Sequence, residues 1–504
     1  MARLHEYQGK ALLKEHDVAV PAGVVARSPD EARRAAAELT LPCVLKVQAW
    51  ITGRAARGGI RFAETPDEAE AVAAELLSQR YGNFPVSQVL IEEKAASIAH
   101  ELFVSFTIDD ALQTPVLLLD PHGGSGIEDR AETVVRVPIT LADGVDREAV
   151  RAALSGTPID MSHHESIVEN VARLFEIMRA SEARALEINP LVVTGSGKVV
   201  ALDCRITIDD YAVFRHPELG IEIARELDHP ATDLERIAYR VEENDHRGTF
   251  YFAQLSVESD ADVIGFHGAG GGGSMMSMDA VTNEGFAIAN FCDTSGNPSA
   301  AKVYRAARII LSQPGLVGYF GSGSGVASQE QFHSAYGLAK AFNEAGLSIP
   351  AVVRLGGNSE DRAVEILEDA CRDLPGKVEG YRKDDTPAFC AERFRALVEA
   401  TDRRQDGHAR RVPAFVGDAD AYSIPITGGR VWIDHATCDA ETTSVVIEHA
   451  AALLKPDDQG RPVLAISKEE VATKDSELIA CEIECLRADR PVVFVDLDMP
   501  TADD

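Results

Sequence analysis

The stretch that decides the reading of this chain is L186-E-I-N-P-L-V-V-T-G-S-G-K-V-V-A-L-D-C-R205. Two strand-like runs flank a glycine turn. Glu187 and Asn189 alternate onto one strand face, and Asp203 follows the turn on what reads as the return strand. In an antiparallel pair, such alternation brings side-chain oxygens together. A few oxygen ligands that leave room for phosphates and water suit Mg2+. The same residues also read as a surface hairpin in which Asn-Pro ends a strand.

Around this hairpin the chain is 504 residues long, enough for two or three domains, because single cores rarely grow past roughly 250–300 residues. Hydrophobic residues make up 45% and charged residues 26%, an ordinary globular balance. The formal net charge of -32 argues against nucleic acid and against an anionic membrane surface. An anionic substrate therefore needs a local basic pocket inside a negative field. No apolar run approaches the ~20 residues of a membrane span. The start, "MARLHEYQGK", has no apolar signal region, and the eight cysteines show no paired metal spacing. Cys481 and Cys485 in "CEIEC" sit one helical turn apart, as two thiols on a helix face. A reducing, cytoplasmic setting follows.

Residues 5–16 read as an amphipathic helix with Tyr7, Leu12 and Leu13 on one face. Ser28-Pro29 opens a capped helix, "PCVLKVQA" is a strand, "GRAARGGIRFA" is a glycine loop entering a strand, and "TPDEAEAVAAELLSQ" is a second capped helix. "VSQVLIEEK" and "ELFVSFTID" follow as strands. Residues 98–210 read as a lobe of antiparallel strands with one long helix near 163–180, and helices run on to about 245. From 261 the pattern alternates apolar strands, glycine turns and helices, which predicts a parallel sheet wound on both faces. Such sheets bind ligands at the carboxyl ends of their strands. Residues 401–411 read as a polar linker, and the tail after them as a β-α-β segment. The expected domains are 1–245, 246–400 and 401–504.

Lys46 lies in a strand otherwise built of Val, Leu and Cys, where an ammonium suits a phosphate. The loop after it offers backbone N–H groups and Arg54, a planar donor fork. A strand-edge lysine beside a flexible turn is the plainer reading. Glu92 and Glu93 end a strand as acceptors of the kind an adenine or ribose needs, and exposed acids at a strand end are also common.

The order "LHEYQGKALL", "VLKVQ", "GRAARGG", "LIEE", "HEL", "ALEINPLVV", "LDCR", "FRHPEL", "NEGFAIANF" and "VVRLGGN" resembles the β-subunit family of succinyl-CoA synthetase, from residue 3 to about residue 400. "LHEYQ" and "EINPLV" are the specific motifs. The more distant citrate-CoA ligases and ATP-citrate lyase share the frame.

The resemblance implies an α/β fold: an N-terminal ATP-grasp domain, a flavodoxin-like doubly wound CoA-ligase domain and a C-terminal α/β extension. It implies that Lys46 and the loop at Gly53, Arg54 and Ala55 hold ATP (or GTP) phosphates, that Glu92 and Glu101 contact the nucleotide, and that Asn189 and Asp203 hold Mg2+ with Glu187 beside them. The implied reaction is carboxylate, CoA and ATP giving acyl-CoA, ADP and phosphate through a phosphohistidine. The family carries that histidine, and most of the CoA site, on a partner α-type subunit. For the phosphohistidine, "TSGNPSAAKVYRAARII" supplies a helix start with free N–H groups, at Gly296, Asn297 and Ser299. An ordinary capped helix is the alternative.

The chain departs from the family at three places. Ala55 and Ala56 stand where the glycine loop usually has Gly and Lys, with Arg57 next to them. His267 stands where the succinyl enzyme has Asn, and "FGSGSGVAS" replaces a short "FGGIV" loop. "RLGGN" is closer to the citrate branch. The acid site is therefore expected at His267, Ser322, Gly323, Ser324, Gly325, Val326 and Arg354. Ser322 and Ser324 offer hydrogen bonds and Arg354 a bidentate carboxylate contact. A plain strand-to-helix turn and a surface ion pair are the alternatives. The substrate reading is thus succinate-like, with a citrate- or malate-directed ligase or a non-catalytic nucleotide-binding subunit as alternatives.

Overall fold

The computed structural model describes residues 1–502 apart from 52, 96, 125–133, 244, 246, 248, 258–260, 324–326, 403, 406–409, 427, 451–452 and 466–473. It contains two compact units, Met1–Ala231 and Thr232–Asp504.

In the first unit, helix α1 spans Glu6–Glu15, α2 spans Pro29–Glu38 and α3 spans Pro66–Leu77. Ser28 Oγ accepts from Glu31 N at 3.2 Å, and Thr65 Oγ1 from Glu68 N at 3.1 Å, each with proline just inside the helix. The two capped helices cover one face of a four-stranded antiparallel sheet, ordered Gly23–Ala26, Val89–Glu93, Cys43–Val47, Ile60–Ala63. Cys43, Leu45 and Val47 bury against the alanines of α2 and α3, as do Val89 and Ile91. Strand alternation then sends Lys46, Leu90 and Glu92 to the opposite face.

The second sheet of this unit is antiparallel. Its order is Ala2–Arg3, Arg205–Ile208, Ala183–Thr194, Ile98–Asp109, Thr114–Asp120, Val135–Pro138. Helix α4 is Arg147–Ser155, capped by Asp146, and α5 is His164–Ala180. Val171, Leu174, Phe175 and Met178 of α5 are buried, with Phe175 against Phe106 at 5.6 Å between ring centroids. Val199–Ala201 returns on Leu191–Val193 as the hairpin read from sequence.

The second unit begins with α6, Asp233–Glu243, which is tied to the strand Tyr251–Gln254 by Gln254 N donating to Glu235 Oε1 at 2.9 Å. The sheet runs Tyr251–Gln254, Asn290–Asp293, Val263–Ala269, Gly318–Gly323, Ala351–Arg354, Val378–Tyr381, parallel except at the first, edge strand. Helices α7 (Gly271–Asn283) and α11 (Pro387–Glu399) contribute Val281, Cys390 and Phe394 to a core that also holds Ile264, Phe266, Phe320 and Val352. Helices α8 (Ala300–Leu311), α9 (Phe332–Ala345) and α10 (Glu360–Ala370) share another core with Tyr319, Ala351 and Val353. Alternate residues of each strand feed the two cores, as a doubly wound sheet requires.

The C-terminal hundred residues join the core of α8, α9 and α10 through Val431, Ile433, Leu478, Ile479 and Cys481. Their strands do not form the β-α-β segment read from sequence. Pro462–Leu464 pairs with Leu454–Pro456, while Val493–Leu497 joins Gly429–Ile433 and Tyr422–Ile426 in a separate antiparallel sheet. Lys340 of α9 is fully buried and bonds Glu482 at 2.8 Å and Glu344 at 2.6 Å, so the tail supplies a counter-ion as well as apolar surface.

Candidate functional site: a charged cleft in the first unit

A cavity of about 950 Å³ opens in the first unit, lined by Lys46, Gly53, Arg54, Ala55, Glu92, Glu187, Asn189 and Asp203 among others. Lys46, the loop after it and the hairpin at 186–205, which are far apart in sequence, thus line one cavity. Each side chain arrives for a local reason. Lys46 and Glu92 project from the face of the small sheet opposite α2 and α3. Asn189 sits where the ladder to Ile98–Asp109 shifts register between Ile188 and Leu191, an irregularity of the kind that re-aims a side chain. Pro190, which lacks an N–H, falls at the same place. Asp203 lies in the break between the strands Val199–Ala201 and Arg205–Ile208, two residues beyond the end of the return strand on which it was expected. Gly53 turns the loop with φ +66°, a conformation that favours glycine.

The sequence reading missed the residue that organises these charges. Helix α1 buries Glu6, Gly9, Lys10 and Leu13, a stripe at i, i+3, i+4 and i+7; of the expected Tyr7, Leu12 and Leu13 face, Leu13 is buried and Tyr7 and Leu12 are half-buried. The signal was that spacing, obscured because two of its members are charged. Glu6, with its side chain 1% exposed, holds Lys10 Nζ at 2.8 Å, Lys46 Nζ at 2.8 Å and Arg54 Nη1 at 2.7 Å. Lys10 and Lys46 also reach Glu92, at 2.6 and 2.9 Å, and both donate to the Leu202 carbonyl. Arg54 Nη2 spans both oxygens of Asp203 at 2.6 and 2.7 Å.

Burial raises the Glu6 carboxyl pKa, but the fields of Lys46, Lys10 and Arg54 outweigh burial and hold it well below the usual carboxylate range. Burial lowers the Lys46 pKa, and Glu6, Glu92 and Asp203 overturn that and raise it. Arg54 is likewise held charged against burial by Asp203 and Glu6. His5 stacks on Trp50 at 4.9 Å; burial, then the nearby Arg54 charge, brings its pKa down to about 4.

Glu92 is therefore a buried counter-ion to two lysines, and not the open acceptor for adenine or ribose that was expected. Glu101 is exposed, lies outside the cavity lining and approaches Gly124. Arg57 is also exposed and outside the lining.

In the second unit the expected acid and anion residues take other roles. His267 is 6% exposed, with Nδ1 bonded to Tyr319 Oη at 2.5 Å and Nε2 to Thr294 Oγ1 at 3.1 Å. Burial brings its pKa down to about 4, so it is a neutral core residue rather than a ligand. Ser322 shares a buried 2.7 Å hydrogen bond with Ser277. Arg354 does not present an open fork: Nε, Nη1 and Nη2 donate to the carbonyls of Asp385, Gly323 and Lys383 at 2.7, 2.8 and 2.6 Å. It ties loops together. Ser324, Gly325 and Val326 lie outside the described residues.

The anion cradle expected at the start of α8 is covered. Ser299 caps Lys302 N at 3.0 Å, and its hydroxyl donates to Asp245 Oδ2 at 2.5 Å, which places a carboxylate where an anion was to bind. Asn297 accepts from Arg247 Nη2 at 3.3 Å, and Gly296 stands half-buried beside it.

The donor set of the cleft fits magnesium. Asp203 and Asn189 are hard oxygen ligands, and among the described residues no cluster of three acidic, histidine or cysteine side chains forms a complete metal cage. Mg2+ characteristically takes one or two carboxylates plus substrate phosphates and water.

Residues 3–193 match the ATP-grasp domain family. Over 380 residues the chain is 36% identical to the succinate–CoA ligase [ADP-forming] subunit beta of Ignicoccus hospitalis, covering 73% of this chain and 94% of that one. It is 34% identical over 375 residues to the succinate–CoA ligase [GDP-forming] subunit beta of Thermus thermophilus, covering 72% and 93%. ATP citrate lyase from Methanothrix soehngenii, solved with citrate and coenzyme A, shares the fold with a TM-score of 0.64 at 19% identity, over 77% of this chain and 97% of that one.

Proposed function

Because the chain belongs to the succinate–CoA ligase β-subunit family, we propose that it is the nucleotide-binding β-type subunit of an acid–CoA ligase. It uses ATP or GTP to activate a di- or tricarboxylate, giving acyl-CoA, nucleoside diphosphate and phosphate. An α-type partner supplies the CoA site and the histidine that carries the phosphoryl group, in a reducing cytoplasm. The observation that carries this reading is the convergence of Lys46, Arg54, Glu187, Asn189 and Asp203 on one cleft.

A carboxylate is a poor electrophile until it is phosphorylated, and a histidine can move a phosphoryl group between separated sites. In this reading Lys46 and Arg54 bind and neutralise the triphosphate, and the Gly53–Ala55 loop lines the same cavity beside it. Asn189 and Asp203 would hold Mg2+, which when bound would supply charge neutralisation to the phosphates. Glu187, two residues before Asn189 on the same strand, accepts from an N–H of the incoming imidazole and aims its other nitrogen at phosphorus. His267 supports the acid-side loop from within the core.

The test is phosphoryl transfer from γ-labelled ATP with Mg2+ and the co-expressed partner. The expected label is acid-labile, base-stable and on a partner histidine, and it is discharged forward by an acid together with CoA and backward by ADP. A panel of succinate, malate and citrate identifies the acid. Nucleotide binding without any transfer would replace this reading with that of a non-catalytic nucleotide-binding subunit.

A further inference from the structure

The charges around Asp203 support an inference that rests on the nucleotide-binding reading and extends it. Three cations, Lys10, Lys46 and Arg54, face three anions, Glu6, Glu92 and Asp203, in continuous contact. The set cancels to zero. Arg54 divides its fork between a buried anion and a partly exposed one. Nη1 is on Glu6 at 2.7 Å, whose side chain is 1% exposed and shared with both lysines. Nη2 is on Asp203, whose side chain is 32% exposed. The Asp203 oxygens are held by that bidentate contact, and Oδ1 also accepts from Cys204 N at 2.7 Å. The second oxygen proposed for the metal is also engaged: Asn189 Oδ1 accepts from Gly124 N at 2.7 Å.

We propose that Arg54 is an exchange residue: pivoting on Glu6, it trades Asp203 for a phosphate oxygen, and Asp203 passes to the divalent cation, so that nucleotide and cation load together. A cation arriving alone meets a carboxylate already neutralised by a guanidinium and sits beside two further positive charges. A polyphosphate arriving alone meets a set whose cations are already paired, and it frees an uncompensated carboxylate beside its own charge. Arriving together, each takes the partner the other releases. Arginine suits this role because its planar fork makes two separate charge-assisted contacts, which a lysine ammonium on one stem does not reproduce.

The experiment uses the full chain and Mn2+ as probe, followed by electron paramagnetic resonance without nucleotide. The net charge of -32 attracts cations at large, so binding at the site is read as the difference from Asp203→Asn. Wild type is expected to show no Mn2+ uptake above that background. Arg54→Gln is expected to bind Mn2+ alone about tenfold or more tightly, within the roughly 5- to 150-fold span of coupled sites, and to lose it again in the double variant with Asp203→Asn. Wild type taking Mn2+ alone as well as Arg54→Gln would overturn the exchange, as would Arg54→Gln showing no gain. If Arg54→Gln loses its fold by circular dichroism, Arg54→Lys serves, with a smaller gain expected and no gain again overturning the exchange. A parallel titration of wild type with MgATP separates the two readings. Binding there with the wrong Mn2+ behaviour removes only the exchange, whereas no binding removes the nucleotide site itself.

Discussion

Glu6→Gln is the substitution that most sharply probes the cleft. The glutamine keeps the shape of the side chain and removes one anion that touches Lys10, Lys46 and Arg54 within 2.8 Å. Three buried cations then face only Glu92 and Asp203. Breaking a buried ion pair by removing one partner costs about 3–5 kcal/mol. In a unit of this size each kcal/mol lowers the melting midpoint by about 2–4 °C, so the first unit is expected to melt roughly 6–20 °C lower. Trp50, stacked on His5 next to Glu6, reports that unit by fluorescence once Trp432→Phe removes the other tryptophan. The pH dependence has a defined sign. The Glu6 pKa is depressed in the fold, and an unfolded glutamate takes its proton near pH 4.3. The contribution of Glu6 is therefore complete above about pH 4.3 and is lost as the pH falls below it, where the unfolded chain binds more protons. Glu6→Gln should flatten that acid limb. An unchanged midpoint together with an unchanged acid limb would refute the role given to Glu6.

Other substitutions separate the remaining roles. Asp203→Asn is expected to cut phosphoryl transfer by more than the roughly 10- to 100-fold typical of residues that only support a metal ligand, with an unchanged circular dichroism spectrum; near-normal turnover contradicts the metal assignment. His267 should titrate near pH 4 by NMR. Because it is neutral in the fold while an unfolded histidine charges near 6.5, stability should decline as the pH falls from about 6.5 toward 4, and a midpoint near 6.5 would show that it is not a core residue. Glu482→Ala strips a counter-ion from the fully buried Lys340 and should destabilise the second unit by about 3–5 kcal/mol in a thermal melt; no change would make the tail an independent appendage.

Most of the architecture was legible because its signals are local. Ser28-Pro29 and Thr65-Pro66 announce helix starts. Residues 262–285 carry the strand, glycine turn and helix of a parallel sheet. The hairpin at 186–205 places a carboxamide near a carboxylate. What was not legible depends on partners distant in sequence. Glu6 and Lys10 look like solvated residues until Lys46 and Glu92 arrive from two neighbouring strands. His267 looks like a ligand until Tyr319 and Thr294 occupy both its nitrogens. Arg354 looks like a carboxylate clamp until three backbone carbonyls occupy its fork. The start of α8 looks open until Asp245 covers Ser299. The tail supplied the right helix and strand positions, but their pairing was set by the core of α8, α9 and α10 and not by the β-α-β order of the sequence.

The most direct measurement is a crystal structure of the chain with MgATP analogue bound. The account expects the triphosphate against Lys46 and Arg54, and Mg2+ on Asp203 and Asn189. A triphosphate bound elsewhere on the chain, or a cation held away from Asp203 and Asn189, would contradict it.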